Sequence, residues 1–184
     1  MLDALLHRPF DRRSALVGRR LSMLSADVWT VTAFAAGGAA AIAIGHQKYL
    51  LGLGLLVLGR VLDVVDGAVA RTRGVTAFGG YLDLVLSLVV SAAVPFGFAL
   101  AMPDRALAAM FLMVGLVARA AALTAPAQAG GALAQGASLV GKSELFAAFA
   151  LACIFPNWFS MIAYVIGIAC FISAGSRVAA VAAS

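Results

Sequence analysis

Three aspartates lie in stretches of the chain that otherwise carry little that is polar: Asp63 and Asp66 in LGRVLDVVDGAVAR, and Asp83 in GGYLDLVLSL. A carboxylate among apolar neighbours is costly to keep charged, so each asks for a partner that stabilises the charge. On a helix, Asp63, Asp66, Gly67 and Ala70 share an arc of roughly 100°. Gly67 and Ala70 carry almost no side chain, so this face reads as a hollow rather than a packed ridge. If the segment bearing Asp83 folds back through a turn near residues 74–75, level positions have numbers summing to about 149. Asp66 then stands level with Asp83, and Asp63 with Leu86 and Ser87. At roughly 1.5 Å per residue the acids sit about 12–17 Å along the helices from that turn. Carboxylates gathered in this way repel one another and take up protons unless a divalent cation neutralises them. Such oxygen ligands suit Mg²⁺, Mn²⁺ or Ca²⁺, whereas zinc would want histidine or cysteine, and none is near. The competing arrangement is ion pairing with Arg60, Arg71 and Arg119. Arg60, three residues before Asp63, is spaced for one such pair.

The elements that must hold these acids follow from composition. Of 184 residues 64% are hydrophobic, 19 are glycine and only 11% are charged, with a mean hydropathy of +1.04. Such a chain lacks the polar side chains to cover a soluble surface, and it reads as an all-α integral membrane protein of one domain. Six spans are expected, at about 28–45, 49–71, 76–102, 105–125, 143–155 and 158–174, because only closed backbone hydrogen bonding survives in lipid and no alternating strand pattern is present. Residues 1–27 mix arginines and aspartates with leucines, which suits an amphipathic helix on the membrane surface. Asp27 is placed to cap the first span, Gly37 and Gly38 to allow close helix contact, and Pro95 to kink the third. A Gly-rich stretch, AQAGGALAQGA, is expected as a loop. With the N-terminus inside, nine basic residues face the cytoplasm (Arg8, Arg12, Arg13, Arg19, Arg20, Arg71, Arg73, Lys142 and Arg177) against two outside, Lys48 and Arg105. Both termini and the acids are therefore expected on the cytoplasmic side of a plasma membrane. The net charge of +5 is expected to face anionic lipid rather than nucleic acid. Cys153 and Cys170 read as small buried hydrophobes, not a disulfide. His7 and His46 lie away from the acids.

The motif itself has a resemblance. DVVDGAVAR at residues 63–71, seven further residues, and GGYLD at 79–83 resemble the signature of the CDP-alcohol phosphotransferases. That signature has eight fixed positions; seven match here, at Asp63, Asp66, Gly67, Ala70, Arg71, Gly79 and Asp83, and the eighth, an aspartate in the family, is Ser87. The resemblance implies a six-helix membrane enzyme of phospholipid synthesis. It would pass a substituted phosphate from a CDP-linked donor, such as CDP-diacylglycerol, to a small alcohol and release CMP. It further implies two divalent cations, Mg²⁺ or Mn²⁺, on Asp63, Asp66 and Asp83, and a homodimer. The CDP group would be seated by Asp63, Asp66, Gly67, Ala70, Arg71 and Gly79. Ser87 occupies the position of the family's general base, and an unaided serine hydroxyl is too weak a base and too poor a bridging ligand for that role.

Arg119, Lys142 and Arg177 are expected near the cytoplasmic half, where they could hold an acceptor phosphate or snorkel to headgroups. Glu144 would pair with Lys142 or cap the fifth helix. Two rival readings use the same acids. A homologue that binds CDP-lipid or a partner without turnover would need only the hollow. A cation carrier would need ionisable groups leading to both sides, and the outer half has almost none.

Overall fold

The computed structural model describes residues 26–73, 76–128 and 140–182, and every regular element among them is helical. Six α-helices follow in order: α1 (Ala26–Gly45), α2 (Tyr49–Arg73), α3 (Ala77–Ala101), α4 (Ala106–Gln128), α5 (Lys142–Ile154) and α6 (Phe159–Ala182). Two short 3₁₀ turns, Pro103–Arg105 and Pro156–Trp158, lead into α4 and α6. The expected surface helix falls on residues outside those described, except for its last two. So do the tip of the turn at 74–75 and most of the Gly-rich loop.

Among the described residues, four segments are long and apolar enough to cross a membrane: Asp27–Gly45, Phe78–Ala101, Pro103–Ala122 and Pro156–Ala180. The other two helices differ for local reasons. α2 carries Arg60, Asp63, Asp66, Arg71 and Arg73, and α5 has only 13 residues. Asp27 lies within the first turn of α1 rather than before it. A carboxylate there still meets the positive end of the helix dipole, so the charge is favourable in either place. α4 runs past Ala125 to Gln128, so the first two residues of the expected loop are helical, as their high helix propensity allows. α3 continues through Pro95 as one helix.

The helices close a ring. α1 packs along α2 and α3, α4 along α3 and α6, and α5 along α2 and α6. This corrects the expected hairpin, because among the described residues α2 and α3 make almost no direct contact and each packs on α1 instead. Small residues on α1 explain the preference. Gly37 and Ala41 let α3 approach so closely that a methyl built on Gly37 would lie 2.6 Å from Val90 Cγ1, and one on Gly97 only 2.4 Å from the Ala41 carbonyl oxygen. The face of α2 with two carboxylates offers no such surface. Gly37 is thus spent inside the chain, and nothing lies within 4 Å of a methyl on Gly38. Of the pair, Gly38 alone stays open to a second copy, as the expected homodimer would need.

Gly97 gives a stability prediction. The Ala41 oxygen is backbone and cannot yield without moving α1, so Gly97→Ala is expected to cost about 1–3 kcal/mol. Gly54→Ala on α2, where nothing lies within 4 Å, is expected to be neutral or slightly stabilising. Thermal unfolding of the two variants in detergent, side by side, checks this.

One end of the ring is packed solid. Tyr49 stacks on Phe98 at 6.0 Å and Phe98 on Phe159 at 4.4 Å between ring centres. Ile44, Leu112 and Ala152 are buried in the same core. Arg105 ties this end together by donating to the Pro156 carbonyl at 2.8 Å and to Asn157 Oδ1 at 3.4 Å. The opposite end is where the acids stand.

Candidate functional site

At the open end the ring encloses a cavity of about 170 Å³, walled by Leu56, Arg60 and Asp63 of α2, Leu84, Ser87, Leu88 and Ser91 of α3, Arg119 of α4, and Lys142, Leu145, Phe146 and Phe149 of α5. A smaller recess of about 50 Å³ adjoins it, with Asp63 and Ser87 lining both; Thr30, Phe34, Asp83 and Val90 complete its walls together with Ala33 and Leu86. The register read from the sequence therefore survives, with Asp63 facing the same space as Leu86 and Ser87. The separation of α2 from α3 is what turns this level into a cavity instead of a seam.

Each acid is engaged by a different partner. Asp66 is 7% exposed and accepts a hydrogen bond from the Thr30 hydroxyl of α1. Asp63 sits 3.7 Å from Arg60 one helical turn earlier, the pair expected from spacing. Arg60 also donates to Ser143 Oγ at 2.9 Å and so ties α2 to α5. Asp83 takes both carboxylate oxygens to Lys142, at 2.9 and 3.2 Å. Asp63 is within electrostatic reach of Lys142, Asp83, Arg60 and Asp66. The acids form one electrostatic unit although they stand on two helices.

Lys142 owes its direction to its neighbours. Glu144 Oε2 accepts from the Gly141 backbone N–H at 3.0 Å and caps α5, as one of the two sequence expectations had it. The other expectation, an ion pair with Lys142, gives way to the pair with Asp83. Arg119 lines the cavity with Lys142, whereas Arg177 is not among the lining residues; its Nε is buried without a hydrogen-bond partner. The structure thus brings together two of the three cations expected to hold an acceptor.

Around Gly67 a methyl would meet nothing within 4 Å, so the hollow beside Asp66 is open. Gly79 is crowded instead. Its N–H is taken by the Thr76 side chain at 3.0 Å, which caps α3, and a methyl there would lie 3.1 Å from Asp27 Oδ1. Ala70 and Arg71 lie on α2, but their side chains are outside those described.

Ser87 donates to the Leu84 carbonyl at 3.0 Å, and its own carbonyl accepts from Ser91 at 2.7 Å. Such back-bonding satisfies a hydroxyl inside an apolar helix.

Two residues of α1 had no place in the sequence expectations for the site. Thr30 holds Asp66, and Asp27 stands against Gly79 and within electrostatic reach of Asp66. The signal was present: they are polar and three residues apart, hence on one face of an otherwise apolar helix.

The donor set suits a hard divalent cation, being carboxylates with hydroxyls of Thr30 and Ser87 in the same walls. Among the described residues, however, no three His, Cys, Asp or Glu side chains are gathered closely enough to hold a metal ion as they stand. The reason is visible in the three separate partners: Arg60, Thr30 and Lys142 each draw one acid its own way.

A CDP-alcohol phosphatidyltransferase family model matches residues 23–174. Among curated proteins, the chain is 34% identical over 168 residues to the inner membrane protein YnjF of Escherichia coli, covering 84% of this chain and 82% of that protein. It is 44% identical over 64 residues to an archaetidylinositol phosphate synthase of Methanothermobacter thermautotrophicus, covering 34% of this chain and 33% of that protein. Among solved structures, the fold is similar to that of the Mycobacterium tuberculosis phosphatidylinositol phosphate synthase with CDP-DAG bound. The TM-score is 0.79, with 24% identity, 92% of this chain covered and 94% of that one. The same synthase in complex with manganese and citrate gives a TM-score of 0.78 at 22% identity, covering 91% and 88%.

Proposed function

The chain belongs to the CDP-alcohol phosphatidyltransferase family, and from that premise we propose that the cavity at its open end is where a CDP-linked lipid meets an alcohol acceptor. The family's reaction transfers a substituted phosphate from the CDP donor to the alcohol, with CMP leaving, in phospholipid synthesis. The observation that carries the assignment to this cavity is the convergence of Asp63, Asp83, Arg119 and Lys142, from four helices, on two adjoining spaces. The donor we propose is CDP-diacylglycerol, the ligand bound by the mycobacterial synthase of the same fold.

Asp63, Asp66 and Asp83 would hold the divalent cation, Mg²⁺ or Mn²⁺; manganese is bound by the same mycobacterial synthase. Bound there, the cation would neutralise the donor's diphosphate and stabilise the leaving CMP. The chain's own residues do the rest. Thr30 fixes the Asp66 carboxylate from α1, so that acid keeps one orientation whatever occupies the cavity. Open space beside Gly67 lets a flat nucleotide approach the backbone of α2. Asp27, Ala70, Arg71 and Gly79 surround the same end of that helix pair and seat the CDP group. Arg119, on the far wall, faces the acceptor and suits one with its own phosphate. Lys142 adds positive charge in the same cavity.

We read all six helices as spanning, with both termini and the open end at the cytoplasmic face, because basic residues gather on that side. α2 can span despite its charges, since Asp63 faces the cavity and Asp66 is buried against Thr30. The inner membrane is the location we propose, in keeping with the name of the Escherichia coli relative.

The test is CMP release. The purified chain in liposomes, given labelled CDP-diacylglycerol, Mn²⁺ and a panel of alcohols that includes phosphorylated polyols, is expected to release CMP with at least one acceptor. Chelation by EDTA is expected to abolish release, and added Mn²⁺ to restore it. CDP-lipid binding with no release for any acceptor would favour the non-catalytic homologue. No binding of CDP-lipid at all would remove the assignment of the cavity.

A further inference from the structure

We propose that Lys142 is a built-in cation of this site, whose ammonium group on Asp83 stands in for a second divalent ion, so that the chain binds one divalent cation rather than two. The proposal rests on the reading of the three aspartates as cation ligands and concerns how many cations they take.

The ion pair is the first support. Lys142 Nζ lies 2.9 and 3.2 Å from the two oxygens of Asp83, a two-pronged grip by residues 59 apart in sequence. The same ammonium is within electrostatic reach of Asp63 and of Asp66. One lysine therefore acts on all three acids.

Its position on α5 is the second. Lys142 is the first residue of that helix, where the exposed backbone N–H groups make a positive charge unfavourable. A lysine there needs a carboxylate close by. The acid available within its own turn, Glu144, is committed to the Gly141 N–H. Asp83 fills the need, and the pair stands half-exposed, with Lys142 lining the cavity and Asp83 the recess beside it.

Ligand count is the third. Ser87, which lines the recess with Asp63 and Asp83, is neutral, so a second divalent ion would find one carboxylate fewer than the family motif supplies and would have to displace Lys142 from both oxygens of Asp83. An ammonium is a compact point charge with three donors, well suited to fill such a place.

Cation counting tests this without reference to turnover. Mn²⁺ is titrated into the purified full-length chain in detergent with CMP present, and free Mn²⁺ is read by electron paramagnetic resonance. One bound Mn²⁺ per chain is expected for the unaltered protein, and two for Ser87→Asp combined with Lys142→Met. Lys142→Met alone is expected to keep one ion and to tighten it by about tenfold, since a neighbouring positive charge is removed. Two ions on the unaltered chain would overturn the proposal and leave the cation reading standing. One ion on the double variant, or unchanged affinity in Lys142→Met, would overturn the proposal too. No saturable Mn²⁺ binding in any of the chains would overturn both.

Discussion

Asp66→Asn is expected to lower CMP release by about 10³-fold or more while the fold persists. Asp66 is the most buried of the three acids, at 7% exposure, and the Thr30 hydroxyl donates to it across the α1–α2 contact. An asparagine keeps an oxygen that can accept this bond, so packing is retained and only the negative charge is lost. A charged metal ligand is worth several kcal/mol of transition-state stabilisation, and each 1.36 kcal/mol is about tenfold in rate. Release assays beside thermal unfolding of the same preparation separate the two effects. Activity within tenfold of the unaltered chain would mean that Asp66 serves packing alone. Thr30→Val is the companion, expected to lose less, because the acid keeps its charge and loses only its orientation.

Ser87→Asp carries the second large effect, in the opposite direction. Ser87 borders both the cavity and the recess, between Asp63 and Asp83, and its hydroxyl is spent on the Leu84 carbonyl. A neutral hydroxyl so used cannot take the acceptor's proton. General-base assistance is worth about 10²–10⁴-fold, so a carboxylate at this position is expected to raise CMP release by about 10²-fold. The new charge would lie four residues from Asp83, on the same face of α3, and two like charges there repel. The gain is therefore expected only with a divalent cation present and to vanish with EDTA. Ser87→Asn, of similar shape without charge, is expected to bring no such gain. A rate unmoved by Ser87→Asp across a range of Mn²⁺ concentrations would show that proton removal does not limit this chain.

Much of the site was legible because its signals are local. Asp63, Asp66 and Gly67 are joined by helical period alone, and so is the Arg60–Asp63 pair. The expected bounds of the six helices agree with the structure to within a few residues at most ends, since apolar run length and turn residues are properties of short segments. The longest departures are at the ends of α4 and α6, which run past Ala125 and Ala174 to Gln128 and Ala182. Alanine propagates a helix with little cost, and the stop residues at these points, Pro126 and Gly175, are carried inside the helices instead of ending them. What failed was the inference from adjacency in sequence to contact in space. α2 and α3 are consecutive, yet each packs on α1 instead, because the small residues of α1 pack more closely than a face carrying carboxylates can. Gly37 makes the close helix contact expected of it, and the tertiary structure supplies the partner, Val90 on α3 of the same chain.

The sequence by itself determined what chemistry this protein holds: carboxylates at a spacing that shares one helix face, apolar helices to carry them, and the motif of a phosphatidyltransferase with serine at its last position. Tertiary structure alone decided which partner meets each acid. Thr30 reaches Asp66 from 36 residues away and Lys142 reaches Asp83 from 59. Helical period extends only along one helix, whereas the meeting of two helices depends on how closely their surfaces can approach, and no single segment contains that information.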